Sequence, residues 1–194
     1  MARPRAFDEA AALQKALDTF WLRGYGATSM EDLVAGTGLS RASLYATFGD
    51  KHQLFMRALG EYQQQLRQTL TDLTADASVP ALYHLRQLLE LNANAALADP
   101  RQRGCFLVNS TTELVPHDAE AQALVAENQQ FLESLLTAVL TRAQQRGEVR
   151  STASPQAQAR FLISVLTGMR VLAKASPDPQ VLRDVVSTTL LALA

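Results

Sequence analysis

Residues 28–51 of the chain, TSMEDLVAGTGLSRASLYATFGDK, contain the local signals that decide its fold. Thr28 and Glu31 have the spacing of a capping box, which predicts that a first helix begins here. Residues at i, i+3, i+4 and i+7 then give this helix one buried stripe: Met30, Leu33, Val34 and Thr37. Gly36 and Gly38 follow, and glycine readily adopts the positive φ that ends a helix and turns the chain. A helix followed by a tight turn is therefore predicted.

A second short helix is predicted from Arg41 to Phe48, directly after this turn. Ser40 is its predicted N-cap, and Leu39 and Leu44 occupy the two positions of a hydrophobic staple. Its outward face carries small uncharged side chains and one phenol, where a solvated helix usually carries lysine and glutamate: Ala42, Ser43, Tyr45 and Ala46. A helix with such a face after a tight turn, with Arg41 in its first turn, is typical of the recognition helix of a helix-turn-helix in the DNA major groove.

A third helix is predicted to begin at Lys51, with Asp50 as its N-cap and Gln53 at the capping-box position. In the first turn the helix dipole disfavours the Lys51 cation by roughly 0.3–1 kcal/mol. A phosphate bound at this point would make the position of Lys51 favourable, because the phosphate would meet free backbone N–H groups and the ammonium together. The alternative is an exposed lysine whose unfavourable interaction with the helix dipole is screened by solvent. Beside Ser40 and Tyr45, we interpret Lys51 as a phosphate contact.

Three segments together resemble the N-terminal domain of the tetracycline-repressor (TetR) family: GYGATSM at 24–30, GLSR at 38–41 and LYATFGDK at 44–51. The resemblance covers about residues 7–59. It implies an all-helical homodimer that binds a DNA operator and releases it when a small molecule enters the C-terminal domain. The DNA-binding residues predicted on this basis are Thr28, Ser40, Arg41, Ala42, Ser43, Tyr45 and Lys51.

The charge of the chain gives no support to DNA binding by itself. The formal net charge is −1, and the first 51 residues hold six basic and six acidic side chains. A near-neutral protein-binding domain is therefore an alternative. The basic residues are nevertheless well placed, and Arg3-Pro4-Arg5 forms an arm that could reach a phosphate or the minor groove. The arm could equally be a disordered tail.

The predicted fold class is all-α, with an N-terminal three-helix domain (1–50) and a C-terminal helical ligand-binding and dimerisation domain (51–194). Further helices are predicted at 8–24, 51–74, 81–98, 118–146, 155–175 and 178–191. The 51–74 helix is expected to continue through Gly60 as a rigid connector between the domains. Tilting it would move the DNA-reading unit.

The helix at 155–175 is apolar on two sides, so something besides its own core must cover it. Gly168 weakens this helix by about 1 kcal/mol unless close packing compensates. With the terminal helix, which includes Val186, it is predicted to form half of a four-helix homodimer interface, as the resemblance also implies. A two-fold protein would read a pseudo-palindromic operator. The alternative is a monomeric bundle.

Residues 101–117, RQRGCFLVNSTTELVPH, contain the single cysteine, Cys105. Family members with an Arg-Gly-Cys-Phe-Leu segment here include repressors that sense oxidants or electrophiles through this cysteine. Arg101 and Arg103 would lower the pKa of the thiol if they were also close in space. The alternative is inert core packing, which is common for free cysteine. Asn109, Thr112 and Glu113 follow as core polar groups or ligand contacts.

An inducer is expected in an apolar interior between the 51–74 and 155–175 helices. The residues predicted to line it are Leu66, Tyr83, Leu88, Cys105, Phe106, Asn109, Phe131, Val165 and Met169.

Several classes of protein are disfavoured by the sequence. The three histidines have no metal-ligand spacing, and nucleophile motifs and glycine-rich phosphate loops are lacking, so no enzyme and no cofactor are expected. No apolar run approaches ~18 residues and no signal peptide is recognised, which predicts a cytoplasmic protein. The expected function is a DNA-binding transcriptional regulator, a homodimeric repressor released from its operator by a small apolar ligand or by an oxidant or electrophile, with an activator also open. The alternative is an all-helical small-molecule-binding or redox-sensing protein that does not bind DNA.

Overall fold

The structure, a computed structural model, describes residues 7–149 and 153–193. Within these ranges it contains nine α-helices and no strand, which confirms the all-α fold class. The helices are α1 (Glu9–Arg23), α2 (Met30–Thr37), α3 (Arg41–Phe48), α4 (Lys51–Thr74), α5 (Ala81–Leu97), α6 (Phe106–Glu113), α7 (Ala119–Gln145), α8 (Pro155–Ala175) and α9 (Pro179–Leu193).

Helix boundaries follow the predicted caps closely. Asp8 caps α1, Ser40 caps α3, and Asp50 caps α4 in a capping box with Gln53. Gly38 ends α2 in the left-handed region with φ of 76°. α4 continues without a break, as predicted, so it is a continuous rod from the helix-turn-helix into the rest of the molecule.

The predicted start of α2 is wrong by one residue. Ser29, rather than Thr28, is the N-cap, and it forms a capping box with Asp32 instead of Glu31. The Thr28 side chain is turned inward and its hydroxyl donates to the Gly24 carbonyl. Thr28 is therefore unavailable to cap the helix.

One hydrophobic cluster lies beneath α1–α3 and extends along the first half of α4. Phe20 is fully buried and meets the Phe55 ring at 5.0 Å, and Phe55 meets Phe106 of α6 at 5.4 Å. Leu107 and Leu114 belong to the same cluster. This core does not divide at residue 50, because α4 and α6 fill it together with the helix-turn-helix.

A second cluster joins α5, α7, α8 and α9 to the far half of α4. The inward face of α8 supplies Leu162, Leu166 and Met169. Across the described residues, no helix is long and apolar enough to cross a membrane. Nor do three or more potential metal-ligating side chains come together in this part of the chain.

Candidate functional site

α3 has the features of a helix presented to a partner. Ser40 caps it by accepting from the Ser43 backbone N–H at 3.1 Å, and the two hydroxyls lie 2.9 Å apart. Leu44 and Phe48 anchor the inner face in the core. Ala42 and Ala46 are exposed, and Tyr45 is 44% exposed, so the outer face has low relief and one projecting phenol.

Arg41 is held on this surface by an ion pair. Its guanidinium donates to the Glu31 carboxylate at 2.9 Å, and both side chains are largely exposed. The guanidinium carbon also lies 5.9 Å from the centre of the Tyr45 ring. An exposed ion pair is weak because water screens it. The guanidinium can therefore exchange Glu31 for a phosphate or a base edge.

Lys51 has a structural role that the sequence did not indicate. Its ammonium donates to the Tyr25 carbonyl at 2.9 Å and to the Thr28 carbonyl at 3.0 Å, over the face of the Tyr25 ring. These bonds tie the loop at 24–29 to the start of α4. An ammonium has three donors, so one N–H remains for a phosphate.

Thr28 lies inside this loop and not on its surface. It is 1% exposed, and both its hydroxyl and its N–H are bonded within the loop. A direct contact between its side chain and DNA, as predicted, would need the loop to open. The predicted arm, Arg3-Pro4-Arg5, lies outside the described residues.

A cavity of about 400 Å³ lies between α4, α5, α6, α7 and α8, and is called here the α4–α8 cavity. Leu91 and Val171 line it and are themselves exposed, which places them at its mouth. The other lining residues are Tyr62, Leu66, Leu70, Leu88, Asn92, Cys105, Leu107, Val108, Thr111, Thr112, Val125, Asn128, Gln129, Leu132, Ile163, Leu166, Thr167 and Arg170. Its volume and its apolar walls with a few polar groups are those of a small-molecule site.

Cys105 and Tyr62 meet on the wall of this cavity. The phenol oxygen lies 3.6 Å from the thiol sulfur. Burial, then the neighbouring Cys105, raises the pKa of Tyr62, which therefore stays protonated and able to donate. The Arg103 guanidinium, which was considered as a thiol activator, is bonded to Asp18 and Asp99 and stacks on Trp21.

Three of the nine predicted lining residues, Leu66, Leu88 and Cys105, do line the α4–α8 cavity. The other six lie elsewhere. Tyr83 is exposed on α5 and accepts from Gln87, and Phe106 is buried in the core beneath the helix-turn-helix. Asn109 donates to the Arg103 carbonyl and accepts from Lys174.

The remaining three belong to contacts on other faces of their helices. The Phe131 ring lies under the Arg67 guanidinium at 4.9 Å. Val165 and Met169 pack into the second core cluster. The polar lining residues Tyr62, Asn92 and Arg170 were not predicted, although Asn92 and Arg170 each interrupt a mainly apolar run.

α6 connects the α4–α8 cavity to the helix-turn-helix. Val108, Thr111 and Thr112 line the cavity. One residue further, the Glu113 carboxylate accepts from the backbone N–H groups of Tyr25 at 3.1 Å and Gly26 at 2.7 Å. Glu113 is therefore neither a core polar group nor a cavity contact: it binds the loop that precedes α2.

The outer face of α8 and α9 leaves large apolar side chains uncovered: Phe161, Leu172, Val181 and Leu191. Apart from its chain neighbours and the nearby backbone of α8, no atom of the described residues lies within 4 Å of a Cβ built on Gly168, so this glycine faces open space in the single chain. Val186, which was predicted to lie on this face, is buried in the core instead.

Comparison with known proteins agrees with this arrangement. The family described as "Bacterial regulatory proteins, tetR family" matches residues 12–58, and the one described as "Tetracyclin repressor-like, C-terminal domain" matches residues 81–189. The uncharacterized HTH-type transcriptional regulator YezE of Bacillus subtilis is 31% identical over 98% of this chain and 98% of its own. The HTH-type transcriptional repressor ComR of Escherichia coli is 31% identical over 97% of this chain and 90% of its own.

A solved structure shares the whole architecture. A cysteine mutant of the TetR family transcriptional regulator CifR, in complex with a 26-bp double-strand operator DNA, has a TM-score of 0.86 and 32% identity, with 100% of both chains covered. These proteins are transcriptional regulators and not enzymes, as predicted for this chain. With two family matches and two relatives that span nearly its full length, the chain belongs to the tetR family of bacterial regulatory proteins.

Proposed function

We propose that this DNA-binding regulator is a homodimeric repressor that leaves its operator when a small molecule occupies the α4–α8 cavity. The observation that carries the proposal is the position of α6. This one short helix carries both the residues that line the cavity and Glu113, which contacts the 24–29 loop. A change at the cavity can therefore reach the loop that precedes α2 through a single helix.

The DNA-binding step rests on α3. Its outer face can enter a major groove, with Arg41 at a base edge or nearby phosphate and Tyr45 at a phosphate. Ser40, Ala42 and Ser43 allow close approach because they are small. Lys51 adds a fixed positive charge beside the start of α4. CifR bound to operator DNA and ComR, named as a repressor, support the same role here.

Release follows if the ligand prefers one tilt of α4. Two α3 helices of a dimer must fit successive half-sites of a pseudo-palindrome, so a changed spacing weakens binding. The ligand shifts this equilibrium only by its difference in affinity for the two states, and ~100-fold release needs about 2.7 kcal/mol. Such a protein acts where the chromosome is, in the cytoplasm.

The dimer is supported by the outer face of α8 and α9. Four large apolar side chains of this face are exposed in the single chain. Apolar surface of this kind on a soluble protein marks an interaction site, and a two-fold copy is the commonest partner.

The whole proposal is tested by a gel shift on DNA upstream of the chain's own gene. Parent protein should give a shifted band that specific competitor DNA removes and unrelated DNA does not. Absence of a specific complex at several salt concentrations would favour the alternative of a sensing protein that does not bind DNA.

Oxidation or alkylation of Cys105 is a second trigger, favoured by the position of its sulfur on the wall of the cavity. Added polar or bulky atoms there would act as a ligand does. If Cys105 is the sensor, the Cys105→Ser variant should stay on DNA when treated with an oxidant or electrophile that releases the parent. Equal release of parent and variant would leave the reversible ligand as the trigger.

A further inference from the structure

The α4–α8 cavity has an uneven distribution of charge. Its walls are mostly aliphatic, with Leu66, Leu70 and Ile163 among them. Within the described part of the chain, the lining contains one guanidinium, that of Arg170, and no carboxylate. A cavity for a neutral hydrocarbon has no need of a cation, because burying an unpaired charge costs free energy.

Arg170 is held in place from one side. Its Nε donates to the Oδ1 of Asn92 at 2.5 Å. Asn92 is itself fixed, because its Nδ2 donates to the Leu166 carbonyl at 3.1 Å and lies 3.7 Å from the Met169 sulfur. No ion pair joins Arg170 to an acidic residue within 7–149 or 153–193. The two terminal nitrogens of the guanidinium therefore remain as donors.

A planar guanidinium with two free terminal nitrogens matches a carboxylate, which it can bind through two parallel hydrogen bonds. The Tyr62 phenol on the same wall provides another donor, since its raised pKa keeps it protonated. A cationic ligand would be repelled by Arg170 and would find no carboxylate among the described lining residues. We propose that the α4–α8 cavity binds amphipathic carboxylates, with Arg170 on the carboxylate and the apolar walls around the hydrocarbon body.

This inference rests on the proposed function, because it names the chemical class of the inducer. The probes are octanoate, decanoate and dodecanoate, each below its micelle concentration, with decan-1-ol as the neutral match and decylamine as the cationic one. Binding is measured by calorimetry and by the fluorescence of Trp21. This residue is the single tryptophan of the chain, and its ring centre lies 5.1 Å from that of Tyr62.

Parent protein should bind at least one carboxylate more tightly than the alcohol, and should bind decylamine least. Arg170→Met, which keeps length and removes charge, should weaken carboxylate binding about 10- to 100-fold, since a charged hydrogen-bonded pair is lost. Its binding of decan-1-ol should not change, which also shows that the variant is folded. The control is Arg160→Met on the same helix, where Arg160 pairs with Glu133 on the surface. It should bind as the parent does.

The inference is overturned if no carboxylate binds, if the alcohol binds as tightly as the carboxylates, or if Arg170→Met binds them like the parent. The same preparations, without probe, are tested for operator binding. Operator binding without carboxylate binding removes this inference and leaves the repressor proposal standing. Carboxylate binding without any operator binding removes the repressor proposal, while the carboxylate site in the α4–α8 cavity stands.

Discussion

Among single residues, Arg41 is the one through which we propose that a near-neutral domain binds a polyanion. Its guanidinium is already on the outer face of α3, and its partner Glu31 is exposed and easily displaced. The positions of a few cations therefore determine DNA binding at this surface more than the net charge of the domain does. Affinity should depend on local contacts more than on long-range attraction.

Arg41→Ala is predicted to relax specificity at one position of the operator half-site by about 1–3 kcal/mol, if Arg41 reads a base edge. Affinities for a set of single-base operator variants, measured by fluorescence anisotropy, would show this. Arg86→Ala provides a control, because Arg86 is paired with Glu90 on α5. Equal discrimination by parent and Arg41→Ala across all variants would contradict a base-reading role.

Lys51→Ala is predicted to have two effects, because the ammonium bonds two loop carbonyls and has one donor left. Loss of the loop bonds should lower the free energy of unfolding by about 1–3 kcal/mol, as seen in a urea titration. Loss of a phosphate contact should weaken binding to all sequences alike and reduce the salt slope by ~1. A lower stability with an unchanged salt slope would show that Lys51 only fixes the loop.

Among the helices, α6 links the α4–α8 cavity to the loop that precedes α2. Glu113 satisfies two N–H groups of the 24–29 loop, and α6 packs against α4 and α7. Such a carboxylate is a stronger acceptor than a neutral group and holds the loop in one position relative to α6.

Glu113→Ala is predicted to uncouple the cavity from DNA. Amide exchange of Tyr25 and Gly26 should become about 10- to 100-fold faster, because both N–H groups lose a charged acceptor. A ligand should still bind the cavity but release the operator less. Hydrogen exchange and gel shifts with and without ligand measure the two effects. The control is Glu127→Ala, which breaks a surface pair with Arg67. Unchanged exchange and full release in Glu113→Ala would exclude this path.

The sequence predicts elements well where their signals are local. Asp8, Ser40 and Asp50 mark helix starts that the structure confirms, since a cap depends only on neighbouring residues. The failure at α2 has a local cause too. Two adjacent hydroxyl residues precede two adjacent acids, so the capping-box pattern fits two registers, and the burial of Thr28 decides between them.

The cavity lining is harder to predict, because it depends on the rotation of five helices relative to one another. On α8, the apolar pattern predicts Val165 and Met169 as lining residues, whereas Leu166 and Arg170 line the cavity. One residue is a turn of about 100° on a helix, since a full turn takes 3.6 residues. An apolar periodicity identifies a buried face but does not say which neighbour that face contacts.

At the scale of the whole molecule, the fold leaves the outer face of α8 and α9 unpaired. Phe161, Gly168 and Leu172 follow one another at i, i+7 and i+11 along one stripe of α8. On α9, Leu191 is 78% exposed. A monomer would leave these apolar side chains in contact with water, and exposed apolar surface of this kind marks an interaction site. Two copies that join these faces would bury these side chains and would supply the two α3 helices that an operator with two half-sites requires.

The Gly168→Ala variant tests this expectation, because its predicted effect is stabilising in a monomer and destabilising in a dimer. A Cβ added at Gly168 meets no atom of another helix within 4 Å among the described residues, so in a monomer Gly168→Ala should stabilise α8 by about 0.5–1 kcal/mol. In a dimer with the helices closely packed at this glycine, the added methyl group should instead weaken association. Sedimentation at several concentrations and urea unfolding measure both quantities.

Gly168→Glu and Leu191→Glu should go further and give folded monomers that lose operator DNA, because each places a charge in the proposed interface. Val186→Glu is unsuitable, since Val186 is buried within the chain and the variant would unfold. Tyr83→Glu is the matched control, because Tyr83 is about half exposed and lies on α5, which is not one of the two helices of the proposed interface. It should remain dimeric and bind DNA like the parent. Parent protein that sediments as a monomer at micromolar concentration, with Gly168→Ala more stable than the parent, would rule out the dimer.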